Sequence, residues 1–315
     1  MSLPDFNEKQ ILFIYGTKEI DNRLQFINNN IVFLRDGKKI NQMSCHKVFA
    51  VFIVGEFSIT SALIKGCRKY GISLFLLKQN FEVYASINSS LEGNYLLRER
   101  QYRMDRDLEV AKNIVKNKSY NQLSLLKEAG KLSDFNLVYN DVCLKINQAN
   151  DSQELLGIEG SVSKNFFQEY FKDMNWVRRM PRTKYDINNT VMDIGYTFLF
   201  NFIDSMLNLY GFDNFKGCYH KLFFQRKSLS CDVMEPFRCL IDRQILKSFR
   251  LGQIKEKDFK LIGGKYVLSW ENQNRYGRMF FDCLMERKED VFLFVKEFYY
   301  FMMNDGRDFP FFKIK

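Results

Sequence analysis

The sequence predicts an α+β fold with a small β-rich N-terminal domain, residues 1–90, followed by a larger all-α C-terminal domain, residues 91–315. Two observations lead to this prediction. Short runs rich in β-branched and aromatic residues are concentrated before residue 90, whereas apolar residues recur at helical spacing almost everywhere after it. A polar stretch, NSSLEGN (88–94), separates the two patterns and marks the boundary. A chain of 315 residues is long enough for two such domains.

Six segments of the first 90 residues have the composition of strands or of a helix. The predicted strands are ILFIYG (11–16), LQFINNNIVFLRDG (24–37), KVFAVFIVG (47–55), ISLFLLK (72–78) and FEVYASIN (81–88). The second of these predicts a hairpin, because the three asparagines at 28–30 tolerate a tight turn. SITSALIKGCRKYG (58–71) predicts the helix, with Ser58 as its N-cap and Gly71 just past its end.

Two long segments of the second domain carry the clearest helical patterns. YLLRERQYRMDRDLEVAKNIVKN (95–117) places apolar residues three and four positions apart between charged ones. NNTVMDIGYTFLFNFIDSMLNLYG (188–211) contains few charges, which predicts a helix in the core of the domain. The C-terminal DFPFFKIK (308–315) is basic and aromatic, and we expect either a mobile tail or a segment that docks on a partner.

The charge of the chain indicates a polyanionic partner. A net charge of +10 and a pI near 9.1 favour nucleic acid or an anionic membrane surface. No apolar run approaches the roughly 18 residues of a membrane span, and MSLPDFNEKQ (1–10) has no secretory signal pattern. Seven scattered cysteines without a CxxC pair suit reduced thiols. We therefore expect a cytoplasmic protein that binds nucleic acid and no membrane.

One of only two histidines, His220, lies just upstream of two carboxylates, Asp232 and Glu235. If a helix begins near Ser230, as Pro236 close to its first turn would permit, the two acids share one face. Such a set could bind a metal ion. It could equally consist of a helix cap at Asp232, a capping-box glutamate and a hydrogen-bonded structural histidine. The spacing leaves both interpretations open.

A third acid, Glu159, lies between two glycines in GIEG (157–160), where the pattern predicts the start of a helix. Glycines there would let the backbone approach a bulky group such as a sugar-phosphate chain. The same acid could instead be a helix-start carboxylate that the helix dipole favours. The residues themselves do not separate these two roles.

Seven basic residues, close to these acids or within WVRRMPRTK (176–184), are candidate DNA contacts. They are Arg178, Arg179, Arg182, Lys184, Arg226, Lys227 and Arg238. Lys and Arg position a duplex through its phosphates without reading its sequence. The last three could also stabilise charge that develops on a phosphorus centre. Trp176 could stack on an unpaired base, but a core position is the interpretation that we favour for a lone tryptophan.

Five motifs in order along the chain resemble those of the CRISPR-associated endonuclease-integrase of spacer acquisition, the Cas one family. They are VFIVGEFSITSALIKGCRKYGISLFLL (51–77), NYLLRERQY (94–102), GIEG (157–160), RTKYDINNTVMDIGY (182–196) and YH with SLSCDVMEPFR (219–238). The resemblance covers essentially the full chain. It implies that Glu159, His220 and Glu235 bind a divalent metal ion, and that Asp232 is a further acid beside the site. Many members have aspartate where this chain has Glu235.

The resemblance also implies an activity and partners. Carboxylates with one imidazole suit Mg²⁺ or Mn²⁺, and the nitrogen ligand favours Mn²⁺. The family joins the 3′-hydroxyl of a short double-stranded DNA fragment, the prespacer, to a CRISPR repeat by transesterification, and water in the same place would give endonuclease activity. A homodimer paired through its β-rich domains, with a small Cas two partner, would supply two sites at a set spacing.

Two other functions stay open at this point. One is a non-catalytic nucleic-acid-binding scaffold that keeps the fold, although three retained metal ligands speak against it. The other is a structure-specific nuclease of DNA repair, which would not prefer a repeat with its leader over a generic branched substrate.

Overall fold

The computed structural model describes residues 10–16, 20–78, 83–87, 94–220 and 223–315. Both ends of the predicted strand 81–88 and most of the polar stretch 88–94 lie outside these residues. The chain divides into two units, Met1–Tyr95 with Asn208–Gly211, and Leu96–Leu207 with Phe212–Lys315. Strands dominate the first unit and helices the second, which confirms the predicted fold class.

Eight strands and one short helix follow each other in the first unit as far as it is described. They are β1 Gln10–Tyr15, β2 Asn22–Ile27, β3 Asn30–Arg35, β4 Lys38–Ser44, β5 Val48–Val54, β6 Ser58–Ile59, α1 Ser61–Lys69, β7 Ser73–Leu77 and β8 Val83–Ile87. They form two four-stranded sheets, in the orders β1-β5-β7-β8 and β4-β3-β2-β6. β5 pairs in parallel with both β1 and β7, and its continuous apolar sequence suits this buried position. The predicted hairpin is confirmed, since Asn28 and Asn29 join β2 to β3 with φ of 48° and 60°.

The ends of α1 test two local predictions. The predicted N-cap at Ser58 is wrong, because Ser58 lies in β6 and pairs with Arg23 of β2. Thr60 is the cap, and its side-chain oxygen accepts a hydrogen bond from the backbone N–H of Leu63 at 3.2 Å. Gly71 follows the helix with φ of +69°, the left-handed conformation predicted for a residue just past a helix end.

The described part of the second unit is mainly helical. Its helices are α2 Tyr95–Arg103, α3 Asp107–Glu128, α4 Phe135–Gln148, α5 Ser152–Tyr170, α6 Ile187–Tyr210, α7 Ser228–Met234, α8 Arg238–Arg250, α9 Gln273–Glu286 and α10 Lys288–Met303. The predicted helical segment 95–117 is divided between α2 and α3. An antiparallel hairpin, β9 Phe259–Ile262 with β10 Lys265–Leu268, means that this unit is not entirely α. No helix among the described residues is long and apolar enough to span a membrane.

Two helices form the centre of the second unit. α6 buries Val191, Met192, Leu199 and Ile203, which confirms the prediction of a core helix from its low charge. α3 packs against α4, α5 and the 3-10 turn Glu235–Phe237 that joins α7 to α8. α3 therefore brings together segments that are far apart in the sequence.

The last residues of the chain lie against α3. Asn117 pairs with the backbone of Phe312 in both directions, donating to its carbonyl at 2.5 Å and accepting from its N–H at 2.9 Å. Asn121 accepts a hydrogen bond from the backbone N–H of Ile314 at 2.8 Å. Phe312 is buried against the ring of Phe237. The expectation of a mobile tail is therefore wrong, because two asparagine side chains hold the segment in place.

Candidate functional site

Three separate segments of the second unit carry Glu159, His220 and Glu235. Glu159 lies in the middle of α5, so its predicted place at a helix start is wrong. His220 lies in the loop between α6 and α7, and Glu235 begins the 3-10 turn after α7. Since α5 and this turn both pack on α3, the two glutamates approach each other across that helix.

Lys118 of α3 connects the two glutamates. Its Nζ contacts Glu159 Oε1 and lies 2.7 Å from Glu235 Oε2. The lysine side chain is only 11% exposed. Burial on its own would lower the pKa of Lys118, but the charges of Glu159 and Glu235 outweigh this effect and raise the pKa, so the ammonium is retained. Ser163 donates a further hydrogen bond to Glu159 Oε1 at 2.9 Å.

Glu235 is buried and ionised. Burial would raise the pKa of its carboxyl group, but the charges of Arg238, Lys118 and His220 lower that pKa well below its usual range. Arg238 Nε lies 2.9 Å from Glu235 Oε2. Oε2 of Glu235 therefore lies against two positively charged groups, Lys118 Nζ and Arg238 Nε, which keep the carboxylate ionised.

A second buried acid lies behind Arg238. The guanidinium of Arg238 stacks over the ring of Tyr196 at 4.5 Å, and the Tyr196 hydroxyl donates to Asp242 Oδ1 at 2.6 Å. Burial raises the pKa of Asp242 to about 7, although Tyr196 and Arg238 act in the opposite direction. Gly195 allows this packing, because a Cβ there would lie 2.5 Å from Ile241. The GY pair of the predicted motif 182–196 therefore supports Arg238 from behind.

Asp232 organises the loop that carries His220. Its Oδ2 accepts backbone hydrogen bonds from Cys218 at 2.6 Å and Tyr219 at 2.9 Å. Its Oδ1 accepts the backbone N–H of His220 at 2.9 Å and lies 2.6 Å from His220 Nδ1. The approach is so close that a Cβ on Gly217 would lie 2.6 Å from Oδ2. With two contacts on each oxygen, Asp232 is a positioning residue for the histidine.

The capping interpretation of these acids does not match the helix boundaries. α7 begins at Ser228, not near Ser230, and its N-cap is Lys227 without a side-chain cap bond. Asp232 lies inside α7, fully buried, and Glu235 follows its end. Neither acid therefore caps this helix.

The donor set fits a hard divalent cation in its chemistry. Carboxylate oxygens from two acids and one imidazole nitrogen are ligands that Mg²⁺ and Mn²⁺ accept. His220 Nδ1 lies against a carboxylate, the usual arrangement for a histidine that binds a metal through Nε2. The ionised carboxylate of Glu235 also suits a cation. In the part of the chain that the structure describes, however, no three such side chains converge as a metal centre, and Lys118 lies between the two glutamates.

The two glycines that flank Glu159 in the sequence lie on the exposed side of α5, whereas the Glu159 side chain is turned toward Lys118 of α3. Gly157 and Gly160 have no atom within 4 Å of the position that a Cβ would take, so packing in the described structure does not require glycine there. Both residues are exposed. The expectation that a bulky group approaches the backbone here assumed a helix start, and at this mid-helix position it stays a prediction.

The predicted basic residues differ in their availability. Arg178 and Arg182 are exposed. Arg179 is bound to Asp193 at 2.6 Å and is mostly buried, and Arg238 is engaged by Glu235 as described above. Arg226 and Lys184 are half-buried. Lys227 lies 2.8 Å from the buried Asp204.

The segment 176–184 is fixed to its surroundings. The backbone N–H of Arg182 donates to Asp193 Oδ2 at 2.8 Å, and the carbonyl of Lys184 accepts the N–H of Tyr266 in β10 at 2.9 Å. Trp176 stacks on Phe167 with ring centres 5.4 Å apart, which agrees with the packing role that we favoured for it.

Sequence reasoning missed Lys118, Tyr196 and Asp242. Lys118 looks like any lysine on a charged amphipathic helix, and no local pattern marks its burial. Tyr196 and Asp242 lie in different helices, α6 and α8, and only the structure shows the hydrogen bond between them. A contact between distant helices is needed to reveal all three.

Comparisons with known proteins agree on one family. Residues 17–280 match the family model described as CRISPR associated protein Cas1. The CRISPR-associated endonuclease Cas1 1 of Thermodesulfovibrio yellowstonii is 30% identical over 269 residues, which cover 79% of this chain and 84% of that protein.

Two solved structures have the same fold. A chain of a partial Cas6-RT-Cas1–Cas2 complex has a TM-score of 0.79 at 21% identity, covering 98% of this chain and 100% of that chain. A casposase bound to its integration product has a TM-score of 0.71 at 19% identity, covering 96% of this chain and 94% of that chain.

Proposed function

Because the chain belongs to the family of the CRISPR-associated protein Cas1, we propose that it is a metal-dependent DNA endonuclease and integrase of CRISPR adaptation. It inserts short DNA fragments, the spacers, into a CRISPR repeat. One observation carries the proposal above the others. The buried, ionised Glu235 faces Glu159 across the ammonium group of Lys118. The same unit carries the imidazole of His220, which Asp232 holds in a fixed orientation.

Glu159, Glu235 and His220 would hold the ion, the histidine through Nε2. A bound Mg²⁺ or Mn²⁺ would polarise a phosphodiester and lower the pKa of the attacking hydroxyl. Asp232 keeps His220 Nδ1 occupied, so that the ring presents its other nitrogen. Arg238 holds Glu235 at 2.9 Å and limits its rotation.

The reaction exchanges one phosphodiester for another. The 3′-hydroxyl oxygen of the fragment attacks phosphorus in the repeat, the bond from phosphorus to the repeat's own 3′-oxygen breaks, and that oxygen leaves as a hydroxyl. The number of phosphodiesters is conserved, so no nucleotide hydrolysis is needed. Water in place of the fragment's hydroxyl gives cleavage, which accounts for endonuclease activity at the same site.

We place the DNA along the exposed cations of 176–184, with Arg178 and Arg182 foremost. Phosphate contacts by such residues give affinity without sequence preference.

The chain acts in this proposal as a homodimer with a small Cas2 partner. One site per chain cannot join both ends of a fragment, and a two-fold axis supplies the second site. The structural neighbour in a Cas6-RT-Cas1–Cas2 complex supports the choice of partner.

The test is an integration assay on a supercoiled plasmid that carries a leader and repeat, with a prespacer duplex, the Cas2 partner and Mn²⁺. In Glu235→Gln and in His220→Ala, the yield of integration product is expected to fall by at least about 100-fold, because a metal ligand or its orientation is lost. EDTA should abolish the product in the wild type. Glu256→Gln, an exposed acid beside the β9–β10 hairpin, is the matched control and should keep full activity.

Two results would contradict the proposal. Undiminished integration in Glu235→Gln would exclude the site. DNA binding without any product in the wild type would favour the non-catalytic scaffold, whereas equal cleavage of generic branched DNA and of the leader and repeat would favour a repair nuclease.

A further inference from the structure

Lys118 lies between the two carboxylates that would hold the metal ion, and the inference drawn from this rests on the proposed function. Its ammonium contacts Glu159 and lies 2.7 Å from Glu235 Oε2. A protonated lysine has three N–H donors and no lone pair, so it cannot itself be a metal ligand. Lys118 and a divalent ion would therefore compete for the same carboxylate oxygens.

The backbone of Lys118 is fixed by its neighbours on α3. Asn121 donates a hydrogen bond to the carbonyl of Pro236 at 3.0 Å, which ties α3 to the turn that carries Glu235. Gln122 donates to Ser163 at 3.3 Å, which ties α3 to the helix that carries Glu159. The helix is thus held on both sides, and only the long side chain of Lys118 is free to change its direction.

The two glutamates are balanced in charge by the cations in direct contact with them. Glu159 and Glu235 contribute two negative charges, and the cations in contact with them, Lys118 and Arg238, contribute two positive ones. A divalent ion would add two further positive charges to a group that is largely shielded from water, where uncompensated charge is costly. Arg238 is held against Tyr196 by stacking, whereas the lysine has a flexible four-carbon stem. Lys118 is the cation that can move.

We propose that Lys118 is the internal counterion of the metal-free site, and that a divalent ion binds by displacing its ammonium from between Glu159 and Glu235. In the absence of metal, the lysine keeps two like charges together that would otherwise repel each other. In its presence, the lysine competes for the carboxylates and weakens metal binding.

The test measures Mn²⁺ binding to the full chain by electron paramagnetic resonance of the free ion. Lys118→Met removes the charge and keeps most of the side-chain length, and it is expected to bind Mn²⁺ at least about tenfold more tightly, since close charge pairs couple by this much or more. Its melting temperature without metal should fall below that of the wild type and should rise more on addition of Mn²⁺. Lys116→Met, at a half-buried lysine of the same helix, is the control and should leave Mn²⁺ binding unchanged.

Two further variants keep the test decisive. Lys118→Gln also removes the charge but can donate hydrogen bonds to the carboxylates, and it replaces Lys118→Met if that variant does not fold. Lys118→Arg keeps the charge, so its Mn²⁺ affinity should not exceed that of the wild type. A crystal structure with Mn²⁺ should place Lys118 Nζ more than about 4 Å, the usual limit for an ion pair, from at least one of the two carboxylates.

The outcomes separate the inference from the proposed function. If the wild type binds Mn²⁺ and both neutral variants bind it no more tightly, the inference is wrong while the metal site stands. An ammonium that still bridges both carboxylates beside a bound ion would also overturn it. If the wild type and Lys118→Met bind no more Mn²⁺ than Glu235→Gln, the metal site itself is wrong and the inference fails with it.

Discussion

Asp232 holds His220 at two points, because its Oδ1 accepts the backbone N–H at 2.9 Å and lies 2.6 Å from the ring Nδ1. The other oxygen of the same carboxylate fixes the two preceding backbone N–H groups. A single buried acid therefore sets both the path of the loop and the orientation of the imidazole. This assigns Asp232 a positioning role that its place next to Glu235 in the sequence did not define.

Asp232→Asn should separate this role from metal binding. An amide keeps one acceptor oxygen and turns the other into a donor, which faces the N–H groups of Cys218 and Tyr219 or of His220. We expect Mn²⁺ affinity to fall by about 10–100-fold, the usual effect of losing the partner of a ligating histidine. The measurement is a Mn²⁺ titration with circular dichroism as a folding check, and the exposed Asp305→Asn is the control. Unchanged affinity in a folded Asp232→Asn protein would contradict the assignment.

Asn121 should contribute to stability out of proportion to its size. Its side chain bonds Pro236 and Phe312 as a donor and Ile314 as an acceptor, all in a buried place. Asn121→Ala removes these three hydrogen bonds and leaves the Phe312 carbonyl with Asn117 alone, so the free energy of unfolding in urea should fall by about 1–3 kcal/mol. Asn147→Ala, at an exposed position of α4, should change it by no more than about 0.5 kcal/mol. Equal stability of the two variants would show that the C-terminal segment is not held by Asn121.

Asp242 should make stability depend on pH in a predictable direction. Its pKa is raised to about 7 by burial, so the folded protein binds a proton there that the unfolded chain, near its ordinary pKa, releases at lower pH. This contribution to stability is complete at low pH and is lost as the pH rises through about 7. The groups that act on Asp242 are Tyr196, Arg238, Lys118 and Arg179. Glu235, whose pKa is lowered, adds stability that is lost only at acidic pH and is constant above pH 5.5.

The variant Asp242→Asn removes this proton and keeps an acceptor for the Tyr196 hydroxyl. Relative to the wild type, its free energy of unfolding should rise between pH 5.5 and 8 by about 1–3 kcal/mol, because one pKa unit corresponds to about 1.4 kcal/mol. Chemical denaturation at both pH values measures the difference. A difference between the two proteins that does not change with pH would mean that Asp242 is already ionised in the folded state.

The cations of 176–184 should differ in their effect on DNA binding. The double variant Arg178→Glu with Arg182→Glu should weaken duplex binding for every sequence, and each lost phosphate contact should reduce the slope of log K against log salt by about 0.9. Arg179→Ala should mainly destabilise the fold, because it removes the guanidinium that binds both Asp193 and Asn189. Arg278→Glu, an exposed arginine of α9, is the control for the charge change. Fluorescence anisotropy over a range of salt concentrations would distinguish these outcomes.

Some parts of the fold follow from local chemistry and others do not. The asparagine turn at 28–30 and the nearly uncharged helix α6 were predictable, because turn conformation and burial are written into adjacent residues. The prediction of a cap at Ser58 failed because Ser58 pairs with Arg23 in a sheet, and adjacent residues do not reveal this pairing. The start of α5 was missed although a signal exists. Asp151 caps the helix by accepting from Gln153 and Glu154, which is the pattern of an N-cap several residues before GIEG.

The residues of the candidate site also differ in whether the sequence alone could identify them. Glu159, His220, Asp232 and Glu235 could be selected from the sequence through the motifs of the family resemblance, since their spacing alone left their roles open. Lys118 could not, because its burial depends on how α3, α5 and the 3-10 turn pack together. The separate roles of Asp232 and Glu235 also needed the structure, since only contacts show which carboxylate holds the loop and which one faces Glu159.

The backbone hydrogen bond from Tyr266 to Lys184 lets the β9–β10 hairpin support the segment 176–184. The hairpin acts as a splint for a loop in which Arg182 and Lys184 have left-handed φ of 64° and 54°, conformations that non-glycine residues rarely adopt without support. A polyanion that binds this loop meets a backbone that is already ordered, so no flexible segment has to be immobilised. Little entropy is then lost on docking. Shortening the hairpin is therefore expected to make the loop more flexible and to weaken polyanion binding, although every positive charge is kept.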